Sequence, residues 1–246
     1  MLRLLTVLAL LLPGVARAAD GYCGYGQQTA VLLVDRTTAF DETDKTLFLQ
    51  ALDGIVGGLG PGDRLDVYTM TGAYTESRKL FDRCKPACPD EGFLAGLMAT
   101  CRPVLARSDY LGFMRELATT IAGLLRAPED TPYSDLFRTV AEDVRASAEE
   151  GKPVRTVIMF TDLLENSPVL PEAQLRRLPP DQILRVLAKN GVAPSLPGGT
   201  VRVIGFGRSD APGRPPLPQP VRQRVAEAWR GWFMAGGAAT VDIGFR

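Results

Sequence analysis

A carboxylate and a hydroxyl follow an apolar run near the start of the chain. Residues Val31–Val34 are four consecutive aliphatics, and they are followed by Asp35 and, two positions later, by Thr37. An aliphatic run of this kind predicts a buried parallel strand, and open α/β sheets bind ligands at the carboxyl ends of their strands. A carboxylate beside a hydroxyl suits a hard cation such as Mg²⁺. The alternative is an ordinary turn or helix N-cap after a strand.

A second apolar run ends in the same way. Residues Val157–Phe160 lead into Asp162, and Ser134 lies in a loop just before a predicted helix. Because parallel strands end at the same edge of a sheet, we expect Asp162 and Ser134 to converge with Asp35 and Thr37. Two carboxylates and two hydroxyls form a reasonable coordination shell for Mg²⁺ or Mn²⁺.

The elements that must position these residues alternate along the chain. Apolar runs predict strands at 31–34, 64–70, 78–83, 154–160, 201–206 and 240–243, and helical periodicity marks 48–59, 113–124, 136–144, 181–190 and 221–232. The predicted fold is α/β: a doubly wound, mostly parallel six-strand sheet with helices on both faces and 78–83 as an antiparallel edge strand. Ser134 is placed to cap the helix that begins at Leu136.

Two long loops are rich in proline, at 163–180 and 209–220. Each follows a predicted strand, which places it at the same edge of the sheet as Asp35. They are either polyproline docking segments or, by default, surface linkers.

The first residues have the pattern of a targeting segment. Arg3 precedes an apolar stretch at 4–12, and Ala16-Arg17-Ala18 fits a cleavage signal. We predict a signal peptide at 1–19, an N-terminal arm at 20–28 and a single domain at 29–246, exported to the periplasm or secreted. The apolar stretch is shorter than the about 20 residues that span a bilayer, so no integral membrane span is expected in the mature chain.

The four cysteines form an even set, Cys23, Cys84, Cys88 and Cys101. In an exported protein this favours two disulfides, with three possible pairings, and 84–101 is interpreted as an insertion. The alternative is a zinc site with four thiolates, although only Cys84 and Cys88 have ligand-like spacing. If 78–83 is antiparallel, the cysteines lie at the edge opposite Asp35 and serve a structural role.

Composition excludes several classes of function. The chain has no histidine, which rules out a Ser-His-Asp triad, a Cys-His pair and imidazole metal ligands. Its formal net charge is zero, which gives no electrostatic argument for nucleic-acid binding. We therefore do not expect an enzyme. The alternative is a hydrolase or phosphotransferase that uses Asp35, although phosphotransferases with an Asp nucleophile usually have a second Asp where Thr37 stands.

In their order and spacing, these motifs resemble the von Willebrand factor type A (VWA) domain. That family has Asp-x-Ser-x-Ser after its first strand, a Thr in a loop before a helix and an Asp after its fourth strand, which together form a metal-ion-dependent adhesion site. The resemblance assigns Asp35 and Thr37 to the first acid and hydroxyl, Ser134 to the loop Thr, and Asp162 to the last acid. The segments 60–65 and 204–207 also look like the family's turn before strand 2 and its strand 5 ending.

The chain departs from the family pattern at two positions. Ala39 stands where the family has its second hydroxyl, and Arg36 adds a cation beside the site. Thr38 and Asp41 are nearby residues that could compensate. The resemblance thus implies a degenerate site.

The expected function is that of an exported protein-binding module in an envelope-associated assembly. By resemblance, Mg²⁺ or Mn²⁺ at this site would accept a carboxylate from an envelope or extracellular protein. The alternative is a metal-independent structural domain of the same fold.

Overall fold

A six-stranded sheet forms the centre of the protein, in the order β3-β2-β1-β4-β5-β6. The structure, a computed structural model, describes residues 18–37, 40–89, 101–126, 131, 133–207 and 217–244. The strands are β1 Thr29–Asp35, β2 Arg64–Met70, β3 Arg78–Cys84, β4 Val154–Phe160, β5 Thr200–Ile204 and β6 Thr240–Ile243. Neighbouring strands are parallel except for β2 and β3, which are antiparallel. The predicted fold class, with its antiparallel edge strand, is confirmed.

Helices cover both faces of the sheet. They are α1 Glu42–Gly58, α2 Pro103–Leu124, α3 Leu136–Glu149, α4 Glu172–Leu175, α5 Pro180–Lys189 and α6 Gln219–Ala235. Side chains of a strand point alternately to opposite faces, so Leu33 of β1 packs in the core under α3 and α6, whereas Leu32 packs in the core under α1 and α2. Every residue of β1 is buried, which explains its unbroken aliphatic run.

The strand order changes direction between β1 and β4. The chain passes from β1 outward to β2 and β3, and later returns to the other side of β1 to form β4. Val34 lies beside Phe160 in the parallel register, so the loops that follow these two strands leave the sheet side by side. Such a switch point opens a crevice at the carboxyl ends of the strands, where ligands bind in open α/β sheets.

Two disulfides lie at the other end of the molecule. They join Cys23 to Cys84 and Cys88 to Cys101, and no cysteine is free among the described residues. Because β3 is antiparallel, its last residue, Cys84, is at the edge opposite Asp35, as predicted. Because all four cysteines are paired, they cannot be the thiolate ligands of the alternative zinc site. The two disulfides fit a protein of an oxidising, extracytoplasmic compartment.

The prediction of an exposed linker or docking segment at 163–180 is wrong. Leu163, Leu170 and Leu175 are completely buried in the core, and the segment contains α4. Its apolar side chains, spaced between the prolines and charged residues, face the sheet. Most of the second proline-rich loop, at 208–216, lies outside the described residues, as does the predicted signal peptide through residue 17. Within the part of the chain that is described, no helix is long and apolar enough to cross a membrane.

Candidate functional site

Asp35 is at the centre of a buried cluster of hydroxyl groups. It is the last residue of β1 and only 1% exposed. Its Oδ1 accepts hydrogen bonds from the backbone N–H of Thr37 at 2.8 Å and from the Thr37 hydroxyl at 2.7 Å. Its Oδ2 accepts a third from the hydroxyl of Thr161 at 2.7 Å. Both carboxylate oxygens therefore point at donors from loops at the carboxyl edge.

Ser134 joins this cluster through Thr37. The two hydroxyl oxygens are 3.2 Å apart, and Ser134 is buried. A hydroxyl has one proton, and that of Thr37 is donated to Asp35, so Ser134 must be the donor to Thr37. The result is a directed chain from Ser134 through Thr37 to Asp35.

The prediction that Ser134 caps helix α3 is wrong. The N-cap residue is Asp135, whose side chain makes no capping hydrogen bond. The hydroxyl of Ser134 contacts Thr37 instead.

Asp162 follows Thr161 on the loop after β4. It is half-buried, and its Oδ1 accepts a hydrogen bond from the backbone N–H of Leu164 at 2.9 Å. The structure thus brings Asp35, Thr37 and Ser134 into a connected chain of hydrogen bonds, while the contact from the Asp162 loop to Asp35 is made by Thr161.

Thr161 was missed by the sequence reasoning. It is completely buried and its Oγ1 accepts a hydrogen bond from the Leu163 N–H at 3.0 Å, which leaves its own proton for Asp35. Its position directly after β4, beside the predicted acid, was the signal available in the sequence.

The loops that contribute the site residues are joined to one another. Ser134 and Asn166 exchange two backbone hydrogen bonds, at 3.0 and 2.8 Å. The N–H of Asp135 donates to the carbonyl of Gly72 at 2.9 Å, which connects the same loop to the segment after β2. Backbone hydrogen bonds therefore connect three loops at this edge of the sheet.

Two of the four residues at and around the degenerate positions, Arg36 and Asp41, are described by the structure. Thr38 and Ala39 lie outside the described residues. Asp41 caps helix α1. Its Oδ1 accepts a hydrogen bond from the Asp44 N–H at 2.8 Å, and the side chain of Asp44 accepts one from the Asp41 N–H. Arg36 donates its backbone N–H to Met70 at 2.9 Å, which joins the ends of β1 and β2.

Two buried acids have strongly raised pKa values. Burial raises the pKa of Glu165 to about 8, although hydrogen bonds from Ser167 and from the backbone of Phe137 and Leu136 oppose the shift. Burial also raises the pKa of Asp143 to about 7, against the opposing effects of its hydrogen bond with Ser77 and the charge of Lys79. Neither acid was singled out from the sequence.

The hydrogen-bond partner of Asp143 is Ser77. The Ser77 hydroxyl lies 2.6 Å from Asp143 Oδ2 and 3.1 Å from the carbonyl oxygen of Thr69. Ser77 donates to both oxygens, so its single hydroxyl proton is shared between the Asp143 carboxyl group and the Thr69 carbonyl. Ser77 therefore connects α3 to the end of β2.

The donor set fits a hard cation chemically. Carboxylates and hydroxyls offer oxygen ligands of the kind that Mg²⁺ and Mn²⁺ take in proteins, and they are collected at the switch point of the sheet. No group of three or more His, Cys, Asp or Glu side chains suited to a metal ion occurs in the described part of the chain. Any cation here would therefore depend on hydroxyl ligands as well as acids.

No model of a known protein family matches the chain, and no curated protein matches it. Among solved structures, proximal thread matrix protein 1 from the mussel byssus aligns over 89% of this chain and 42% of its own, with a TM-score of 0.40 and 14% sequence identity. The chain therefore spans less than half of that protein's length.

Proposed function

We propose that this chain is an exported, VWA-like protein-binding module whose site is formed by Asp35, Thr37, Ser134 and Asp162. The observation that carries the proposal is the hydrogen-bonded chain from Ser134 through Thr37 to Asp35 at the β1–β4 switch point. Asp35 and Thr37 lie on one segment and Ser134 on another, and a simple strand-end turn at Asp35 would not require Ser134, which is 97 positions from Thr37.

The proposed ligand of these four residues is Mg²⁺ or Mn²⁺. A bound cation would supply an open coordination position for a carboxylate of the partner. The chain's own residues orient the site: Thr161 and Thr37 direct both oxygens of Asp35, and the Ser134–Asn166 pair positions the third loop. The proposed partner is another envelope or extracellular protein that presents an acidic side chain.

A metal-independent binding module is the second candidate. It is favoured by the three hydrogen bonds that Asp35 accepts from Thr37 and Thr161, because they already stabilise its buried carboxylate without a cation. In this version Asp35 organises the loops, and the partner contacts the loop surface directly. We propose binding in preference to catalysis in both versions, because the chain contains no histidine to activate a nucleophile or water.

Capture of partners from an envelope fraction distinguishes the two candidates. Immobilised mature protein is incubated with the fraction in Mg²⁺, in a chelator, and in chelator followed by excess Mg²⁺. The cation-dependent module captures a protein only with Mg²⁺, and Asp162→Ala abolishes the capture. Capture that is equal in chelator and unaffected by Asp162→Ala would support the metal-independent module and reject the cation.

A further inference from the structure

We propose that Glu165 is a positioning residue of this site, acting on Ser134 through the start of helix α3; the inference rests on the proposed function of the site. Glu165 is 1% exposed and touches none of the four proposed ligands in the hydrogen bonds described above. Its Oε2 instead accepts the backbone N–H of Phe137 at 3.0 Å.

Helix α3 obtains its N-terminal cap from another loop. The first N–H groups of a helix have no partner within the helix, and the side chain of its own N-cap residue, Asp135, supplies none. Glu165, 28 positions further along the chain, supplies the acceptor for Phe137.

The next residue holds the other end of the same short segment. Asn166 exchanges two backbone hydrogen bonds with Ser134, while Glu165 bonds Phe137. Two successive residues of the β4 loop thus clamp residues 134–137 at both ends. Since the Ser134 hydroxyl is 3.2 Å from Thr37, a rotation of this segment would break the chain to Asp35.

The loop that carries Glu165 is itself firmly held. The carbonyl of Leu163 accepts a hydrogen bond from the indole N–H of Trp229 at 3.1 Å, and Leu163 has a positive φ of 61°, which is uncommon for a non-glycine residue. The ring of Phe137 stacks on Trp229 at 3.7 Å between centroids. The loop that carries Glu165 and Asn166 therefore has little freedom to adjust when the side chain of Glu165 is shortened or removed.

The test compares Glu165→Gln, Glu165→Leu and Glu165→Asp with the control Ser147→Ala. Gln can still accept the Phe137 N–H, Leu cannot, and Asp is too short to reach it. Ser147 is on the same helix but bonds Asp66 and Tyr68 at its other end, so the control weakens α3 without touching its start.

Two readouts are measured, the Mn²⁺ affinity by calorimetry and the hydrogen exchange of the amides of Asp135 to Phe137. We expect Glu165→Gln and Ser147→Ala to bind Mn²⁺ within about threefold of wild type, and Glu165→Leu and Glu165→Asp to bind at least about tenfold more weakly, as for other residues that orient metal ligands. Amide exchange at Asp135–Phe137 should accelerate at least about tenfold in Glu165→Leu and Glu165→Asp only.

The inference is overturned if Glu165→Leu and Glu165→Asp bind Mn²⁺ as wild type does, or if Ser147→Ala or Glu165→Gln weakens binding as much as they do. If Glu165→Leu does not fold, Glu165→Asp decides. Wild-type protein that binds no Mn²⁺ would reject the proposed cation. Amide exchange then tests separately whether Glu165 holds residues 134–137 in place. Faster exchange of Asp135 to Phe137 in Glu165→Asp supports this role, even without data on Glu165→Leu, and unchanged exchange overturns it.

Discussion

The hydroxyl of Thr161 donates a hydrogen bond to Oδ2 of Asp35 at 2.7 Å, across the junction between β4 and β1. The oxygen of the same hydroxyl accepts a hydrogen bond from the N–H of Leu163, so the hydroxyl proton of Thr161 is directed at Asp35. All of these groups are buried. Thr161 therefore determines the orientation of Asp35 and the start of the β4 loop together.

Replacement of Thr161 by Val should destabilise the protein by about 1–3 kcal/mol. Val has nearly the same shape, but it leaves the Leu163 N–H and one oxygen of Asp35 without their buried partner. Urea unfolding gives the free energy directly. Thr240→Val is the control: its hydroxyl bonds Thr200 on the exposed sheet edge, and the change should stay within about 0.5 kcal/mol. Equal effects of the two substitutions would contradict the role of Thr161.

Asp143 should make the protein less stable as the pH rises toward neutrality. Burial raises its pKa in the folded state from 3.8 to about 7, so the native state binds this proton more tightly than the unfolded chain does. The resulting stabilisation is complete below the unfolded pKa, is lost as the pH rises toward about 7, and is absent above it. Asp143→Asn removes this dependence, while its amide oxygen can still accept a hydrogen bond from Ser77.

The measurement is the difference in unfolding free energy between wild type and Asp143→Asn as a function of pH. We expect wild type to lose about 2–3 kcal/mol relative to the variant between about pH 5 and pH 8. Comparison with the variant removes the contribution of Glu165, whose raised pKa acts in the same direction. Asp53→Asn, on the exposed side of α1, is the surface control for replacing an acid by its amide. A flat difference curve for Asp143→Asn would show that Asp143 is ionised throughout.

The Cys23–Cys84 disulfide should stabilise the fold without affecting the site. It joins residues 61 positions apart, and Cys84 lies at the sheet edge opposite Asp35. The double variant Cys23→Ser/Cys84→Ser should lose about 2–4 kcal/mol of unfolding free energy. Cation affinity should remain within about twofold of wild type. A selective loss of cation binding at full thermal stability would contradict this separation.

The sequence predicts those features of the fold that depend on local patterns. The run at Val31–Val34 and the acid that follows it mark β1 and its ligand-binding edge, because a strand buried on both faces needs aliphatics at every position. The convergence of Asp35 with Ser134 also followed, since parallel strands share an edge. Both features could be predicted without knowledge of the three-dimensional contacts.

The contacts that orient the site could not be predicted from local sequence patterns. Ser134 was interpreted as a helix cap because capping is judged from neighbouring residues, whereas the actual cap, Glu165, is 28 positions from Phe137. Leu163 and its proline-rich surroundings were interpreted as surface linker, because composition does not show that the side chain packs beneath the loop. Both errors arise from long-range packing.

The hydroxyl and carboxylate cluster around Asp35 is proposed to hold a divalent cation. Calorimetric titration of the purified mature protein with Mn²⁺ and Mg²⁺ measures this binding, with Asp35→Asn and Asp162→Ala as site variants and Asp53→Asn as the matched surface control. We predict a single cation site in wild type and in Asp53→Asn that is lost in Asp35→Asn and in Asp162→Ala. Absence of cation binding in wild type, or binding that survives both site variants, would contradict the claim.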